Sequence, residues 1–146
     1  MAMDKTSAVD PVMAVAASAL RAQQQRMRVI AENLANADST STTGGGAPYR
    51  RQTPIFKPIQ MDGQAGGVRV TGVRMTGVQS DTSAFRKEYN PGHPAADAKG
   101  YVSMPNVDPL VEALDMREAQ RAYEANLSVI ETARSMTNRT LDILKK

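Results

Sequence analysis

Few side chains in this 146-residue sequence could do covalent chemistry. His93 is the single histidine, set in the turn-rich run Asn90-Pro91-Gly92-His93-Pro94, and cysteine is absent. One imidazole without thiolates, and without carboxylates at helical ligand spacing, makes no metal site. Ser, His and Asp all occur, but nothing in their order places a nucleophile beside a base. Gly44-Gly45-Gly46 lacks the Lys-Ser/Thr pair of a phosphate-cradling loop and reads as a flexible linker. Glu118/Arg121 and Glu131/Arg134 have the spacing of ion pairs on a helix face. These residues predict no enzyme, no metal and no cofactor.

Amides are the more informative polar groups. Asn33 and Asn36 interrupt an apolar, helix-forming pattern in the stretch AENLANADST, and Asn126 falls in the middle of a second such pattern. A carboxamide carries two donors and a carbonyl acceptor. Buried in a seam between helices, it fixes register at a cost in stability. The alternative is that Asn36 is a C-terminal cap of the helix and Asn33 a solvent-exposed residue. Spacing leaves both readings open.

The elements that would position these amides begin at two Asp-Pro pairs, Asp10-Pro11 and Asp108-Pro109. Asp as N-cap with Pro at the first helical position is a helix start. The spacing predicts helices over about 11–36 and 109–144, roughly 39 Å and 54 Å long at the α-helical rise. The first has a candidate buried stripe of Val12, Ala16, Ala19, Gln23, Met27, Ile30 and Leu34. In the second, Met116, Gln120, Tyr123, Leu127, Ile130, Arg134, Thr137, Leu141 and Leu144 follow alternating steps of four and three, a heptad signal. Such a seam closes either within one monomer or against neighbouring subunits. The candidate interface residues are Val12, Met27, Ile30, Asn33, Leu34, Asn36, Met116, Tyr123, Asn126, Leu127, Ile130, Leu141 and Leu144.

Between the helices, clustered Gly and Pro forbid a long helix. Short strands are expected around 49–56, 66–80 and 85–89. Within the second, Gly72 shifts the alternation from Val68 and Val70 to Val73 and Met75, as a bulge would. The expected fold is mainly α with a small β element. The terminal helices, in 1–38 and 107–146, pair as a coiled-coil-like hairpin, and 39–106 forms a linker and a small β-rich middle region.

Composition agrees: aromatic residues are only 4%, which suits long helices better than a thick globule. The net charge of +3 is spread along the chain, with short basic doublets at Arg50-Arg51 and Lys145-Lys146. Nucleic-acid binders concentrate charge on one face and interleave aromatics. No nucleic acid is therefore expected, although a small basic helical adaptor for nucleic acid or anionic surfaces is the alternative from another class. No apolar run reaches the ~20 residues of a membrane span. Val12 to Leu20 lacks the positive flank of a signal peptide, since Lys5 stands against Asp4 and Asp10.

Both ends carry longer patterns. RVIAENLANADST followed by YRRQTPIF resembles the N-terminal signature of flagellar rod and hook proteins. NPGHPAADAKGYVSMPNVDPLVEALDMREAQRAYEANLSVIETARSM is similar to the C-terminal block of proximal-rod members of that family, through Pro91 to Pro94, Gly100 to Val102, Pro105 to Val107 and Tyr123 to Asn126. One departure is STSTTGGGAP, where many relatives have a short Thr-Pro-Gly link. The resemblance implies a structural subunit of the bacterial flagellar basal-body rod, stacked helically to transmit torque from the membrane ring to the hook. The partners it implies are copies of itself, other rod subunits, membrane-ring and rod-base proteins, and the flagellar export apparatus. It also implies a place in the periplasmic space after type III export. Another rod or hook-junction subunit is the alternative within the family.

Overall fold

A computed structural model of the chain describes residues 9–62 and 69–145. The Gly66-Gly67 breaker, Val68 and Lys146 lie outside the described residues, as do Asp4, Lys5 and the Asp10 side chain. The element order is α1 (Val9–Ala35), β1 (Gln52–Asp62), β2 (Arg69–Ser80), β3 (Arg86–Tyr89), β4 (Tyr101–Met104) and α2 (Pro109–Leu144). β1 pairs with β2 and β3 with β4, giving two two-stranded sheets. The chain divides into two compact units: Met1–Arg26 with Phe56–Thr76 and Ala119–Lys146, and Met27–Ile55 with Gly77–Glu118. Mainly helical architecture with a small sheet content is as the sequence predicts.

The start of α2 follows from its first residues. Asp108 Oδ1 accepts the N–H of Leu110 at 2.9 Å, and its backbone carbonyl accepts Glu112 N–H at 3.0 Å. Pro109 then stands where a missing N–H costs nothing. The first Asp-Pro pair behaves differently. Since α1 begins at Val9, Asp10 is not its N-cap, and Pro11 sits inside the first turn, where proline is still tolerated.

Burial along α2 corrects half of the expected stripe. Met116, Tyr123, Ile130 and Thr137 are half-buried, as that spacing predicts. The second inward column is Glu112, Ala119 and Ala133, which are buried, with Asn126 and Thr140 half-buried, and from Ala119 on it runs one residue before the expected Gln120, Leu127, Arg134 and Leu141. Leu127 and Leu141 are 40% and 42% exposed, and Leu144 is 75% exposed. The heptad step recurs, and only the second column stands one residue earlier than expected. Alanine contributes little area but lets backbones approach closely, so the small residues take the inner column and leave the leucines outside. In α1, Ala16, Ser18, Ala22, Val29, Ile30 and Asn33 are buried, Ala19, Gln23, Met27 and Leu34 half-buried, and Val12 exposed.

In the first unit, β2 rests on α1 through Ser18. Its hydroxyl donates to Val15 C=O at 2.7 Å and accepts Val73 N–H at 3.1 Å. Gly72 is buried at this contact, and a Cβ there would come within 2.6 Å of Ser18 Oγ and 2.5 Å of Met61 Cε. Burial switches from Val70 and Gly72 to Val73 and Met75 across this point, the phase shift expected of the glycine. Gly72→Val is expected to lower unfolding free energy by about 1–3 kcal/mol, because overpacking must displace the helix or the ribbon. Gly77→Ala, whose Cβ meets open space, is expected to stay within about 0.5 kcal/mol in the same urea titration.

β4 was not expected. It pairs antiparallel with β3 in the register Arg86↔Met104, Lys87↔Ser103, Glu88↔Val102, Tyr89↔Tyr101. The expected first strand, 49–56, instead starts at Gln52 and runs through Pro54 and Pro58 to Asp62. A two-stranded ribbon tolerates proline because one edge of each strand needs no ladder donor.

Candidate functional site

The second unit holds a buried polar cluster where the end of α1, the start of β1 and the first turn of α2 meet. Asn33, in the last turn of α1, is 1% exposed. Its Oδ1 accepts the Tyr49 hydroxyl at 2.9 Å and the Gln52 N–H at 2.9 Å. Its Nδ2 donates to Gln52 C=O at 2.8 Å and to Glu112 Oε2 at 3.1 Å. All the hydrogen-bonding capacity of the carboxamide is used. Toward Gln52 it acts as a neighbouring strand would, taking the N–H and supplying a donor to the C=O of one residue. This answers why Asn stands inside the helix: Ala has neither group, and Glu would bring a second charge beside Glu112.

Glu112 is fully buried, and its other oxygen receives Arg51 Nε. The Arg51 fork also reaches Asp115 Oδ2 at 3.5 Å and Asp81 Oδ2 at 3.8 Å. Burial pulls the Arg51 pKa down, but the hydrogen bond and charge of Glu112, with Asp115 and Asp81, outweigh it and hold it above the ordinary value. Tyr49 is pushed up by burial and then by the charges of Glu32 and Glu112, so it remains a neutral donor. Hydrogen bonds from Ser83, then the Arg51 and Arg50 charges, hold the Asp81 carboxyl below its usual range. The stabilisation from Asp81 is therefore present at neutral pH and fades as pH falls through that lowered pKa.

Asn106 closes the same corner from the other side. Its Oδ1 accepts Arg51 N–H at 2.8 Å, and its Nδ2 donates to Asp81 C=O at 3.1 Å and Ser83 Oγ at 2.9 Å. Arg50 donates to Asp81 C=O at 2.9 Å while its guanidinium lies 4.3 Å from the Phe85 ring centroid. Every one of these groups is spent on another, so the cluster fastens segments together and offers no poised acid, base or nucleophile. Among the described residues no group of three or more His, Asp or Glu could hold a metal ion.

The other sequence-predicted residues scatter. Asn36 follows the last residue of α1, where its Nδ2 donates back to Glu32 C=O at 2.8 Å and its Oδ1 accepts Ser39 Oγ at 3.0 Å. The Glu32 carbonyl already accepts Asn36 N–H at 3.2 Å, so the side chain adds a second bond at the helix end without a left-handed backbone, and Asn36 joins no cluster. Asn126 likewise bonds locally, to Ala122 C=O at 2.7 Å. It shares with Val12 an apolar cavity of about 270 Å³ in the first unit, lined also by Val15, Val70 and Val129. Ile30 is buried; Met27, Leu34, Met116, Tyr123 and Ile130 are half-buried; Leu127, Leu141 and Leu144 face outward.

Tyr49, Arg51, Gln52, Asn106 and Glu112 are absent from the sequence-based interface list. Tyr49, Arg51 and Asn106 lie in the Tyr-Arg-Arg and Pro-Asn-Val motifs, so the motifs marked the site without showing what the residues touch. Glu112 gave no signal, since an acid in the first turn of a helix is ordinary dipole complement.

Both motif-bearing ends match known families. Residues 13–42 match the family described as flagella basal body rod protein. Residues 98–143 match the C-terminal family of the flagellar basal body rod FlgEFG proteins. The flagellar basal-body rod protein FlgC of Agrobacterium fabrum is 47% identical over 140 residues, covering 94% of this chain and 98% of that protein. FlgC of Escherichia coli O6:H1 is 44% identical over 129 residues, 88% and 92% of the two chains. FlgC of Bacillus subtilis is 40% identical over 144 residues, 90% and 95%. The chain therefore belongs to the FlgC family of flagellar basal-body rod proteins, and the Asn33 cluster joins the two segments that carry the family's motifs.

Proposed function

We propose that this rod protein is a non-catalytic subunit of the proximal rod. It stacks helically with copies of itself and other rod subunits and transmits torque from the membrane ring to the hook. In this reading it meets membrane-ring and rod-base proteins and reaches the periplasmic space through the flagellar export apparatus. Segments 1–38 and 107–146 form the inner tube as coiled-coil-like paired helices, with 39–106 outside them. No helix among the described residues is long and apolar enough to cross a membrane.

The observation that supports assembly is the surface of α2. Leu110, Leu114, Met136, Ile143 and Leu144 are each more than half exposed, while the inner column is mostly alanine and other small or polar residues. A helix that leaves five large apolar side chains more than half exposed has apolar surface to bury elsewhere. Deleting residues 141–146 is expected to abolish motility and rod assembly while the protein still accumulates. Normal swimming of a strain carrying only this deletion would reject the outer face of α2 as an assembly surface. Salt-dependent retention of DNA in a gel shift would favour the basic adaptor instead.

A further inference from the structure

The glycine-rich segment expected to be a flexible linker is fastened. Gly45 N–H donates to Ala95 C=O at 3.1 Å, and Gly45 has φ +68, which a residue with a Cβ rarely adopts. A Cβ on Gly44 would lie 3.2 Å from Ala96 O. The linker therefore lies on the turn that follows β3, and His93 builds that turn. His93 Nδ1 accepts Ala95 N–H at 3.0 Å, and its backbone carbonyl accepts Ala96 N–H at 2.9 Å. Ala95 is buried, held at its N–H by the imidazole while its carbonyl holds the linker.

The imidazole opens on a cavity of about 180 Å³ lined by Asp38, Thr40, Glu88, Asn90, Val102 and Met104. The titratable groups facing it are Asp38, from the turn after α1, and Glu88, from β3; β4 and the linker contribute uncharged residues. Asp97, in the same turn, is already engaged with the N–H groups of Lys99 and Tyr101.

We propose that His93 is an acid-operated clasp on the linker. A proton taken from solvent by Nδ1 leaves an imidazolium with N–H at both nitrogens and no acceptor. Ala95 N–H then faces a donor, the ring turns toward the carboxylates of Asp38 and Glu88, and the Ala95 carbonyl loses the orientation that receives Gly45. The clasp is closed while Nδ1 accepts the Ala95 N–H and open once that nitrogen carries a proton. The inference rests on geometry within one subunit and is independent of the rod assignment.

The test is amide hydrogen exchange by NMR on the full chain, read as protection factors between pH 8 and pH 5. In the wild-type chain, protection at Gly45 and Ala95 is expected to fall by about tenfold as the His93 ring titrates, the loss of about one hydrogen bond. Gly100, whose N–H donates to Asp97 C=O, serves as a control that stays protected. In His93→Asn the side-chain carbonyl accepts the i+2 amide at every pH, so Gly45 is expected to stay protected throughout. His93→Ala is expected to expose Gly45 at pH 8, with α2 amides unchanged as proof of folding. Protection at Gly45 that ignores ring titration, an acid loss unchanged in His93→Asn, or full protection in His93→Ala would each overturn the clasp.

Discussion

Arg51→Met is expected to lower unfolding free energy by about 3–5 kcal/mol, the cost of leaving a buried carboxylate without its partner. Glu112 is fully buried, so solvent cannot replace the guanidinium. Asn33 Nδ2 remains as a donor, but an amide neutralises no charge. The loss also reaches Asp81 and Asp115, which share the fork but are part-exposed and contribute less. Adding Glu112→Met should recover most of the loss, because two apolar side chains of similar volume satisfy each other. Urea titrations of wild type, both single variants and the double variant measure the coupling. A double variant no more stable than Arg51→Met would show that the carboxylate is not what the arginine serves.

Asn33→Leu is expected to cost about 3–5 kcal/mol, since the change strands the Tyr49 hydroxyl and both polar groups of Gln52, each at roughly 1–3 kcal/mol, with partial relief by water. Asn33→Asp retains the two acceptor roles toward Tyr49 and Gln52 N–H. It loses both donors and sets a second carboxyl beside Glu112, near the position from which Nδ2 reaches Oε2 at 3.1 Å. Its damage should therefore depend on pH. Burial and a like charge raise the new carboxyl's folded pKa above its unfolded value, so the folded state prefers the protonated form. Stability relative to wild type should be lowest at neutral pH and recover as pH falls through the raised value. A pH-independent deficit in Asn33→Asp would mean the carboxyl reaches solvent and the cluster is looser than its distances state. In flagellated cells both variants are expected to fail in rod assembly, because the cluster joins the end of α1 to the start of α2.

The linker gives a contrasting case. Its loop-closure cost is small, and composition alone predicts tolerance of shortening. Gly45 changes that expectation, since its N–H is committed to Ala95 and its backbone to positive φ. A three-residue deletion across 40–46 removes or displaces that contact, so a deletion confined to the Ser41–Thr43 side is the better-tolerated one.

The sequence by itself determined what depends on neighbours along the chain. Asp108-Pro109 set the start of α2, because an N-cap needs only a side-chain acceptor next to free backbone donors. Alternating steps of four and three set the repeat of α2, and Gly72 set the phase shift in β2. The short motifs at both ends were sufficient to point to the family. Tertiary structure alone decided which of two adjacent heptad columns turns inward. Periodicity fixes angles around a helix axis, and packing chooses the face that allows the closest approach, which Ala119 and Ala133 offer and Leu127 and Leu141 do not. It alone joined Asn33 to Glu112, whose interaction spans seventy-nine positions, and it converted Arg51 from one of a basic doublet into the partner of a buried charge. Desolvation is the reason: a carboxylate in the first turn of a helix is unremarkable in water, and becomes dependent on one amide and one guanidinium only when folding removes the water.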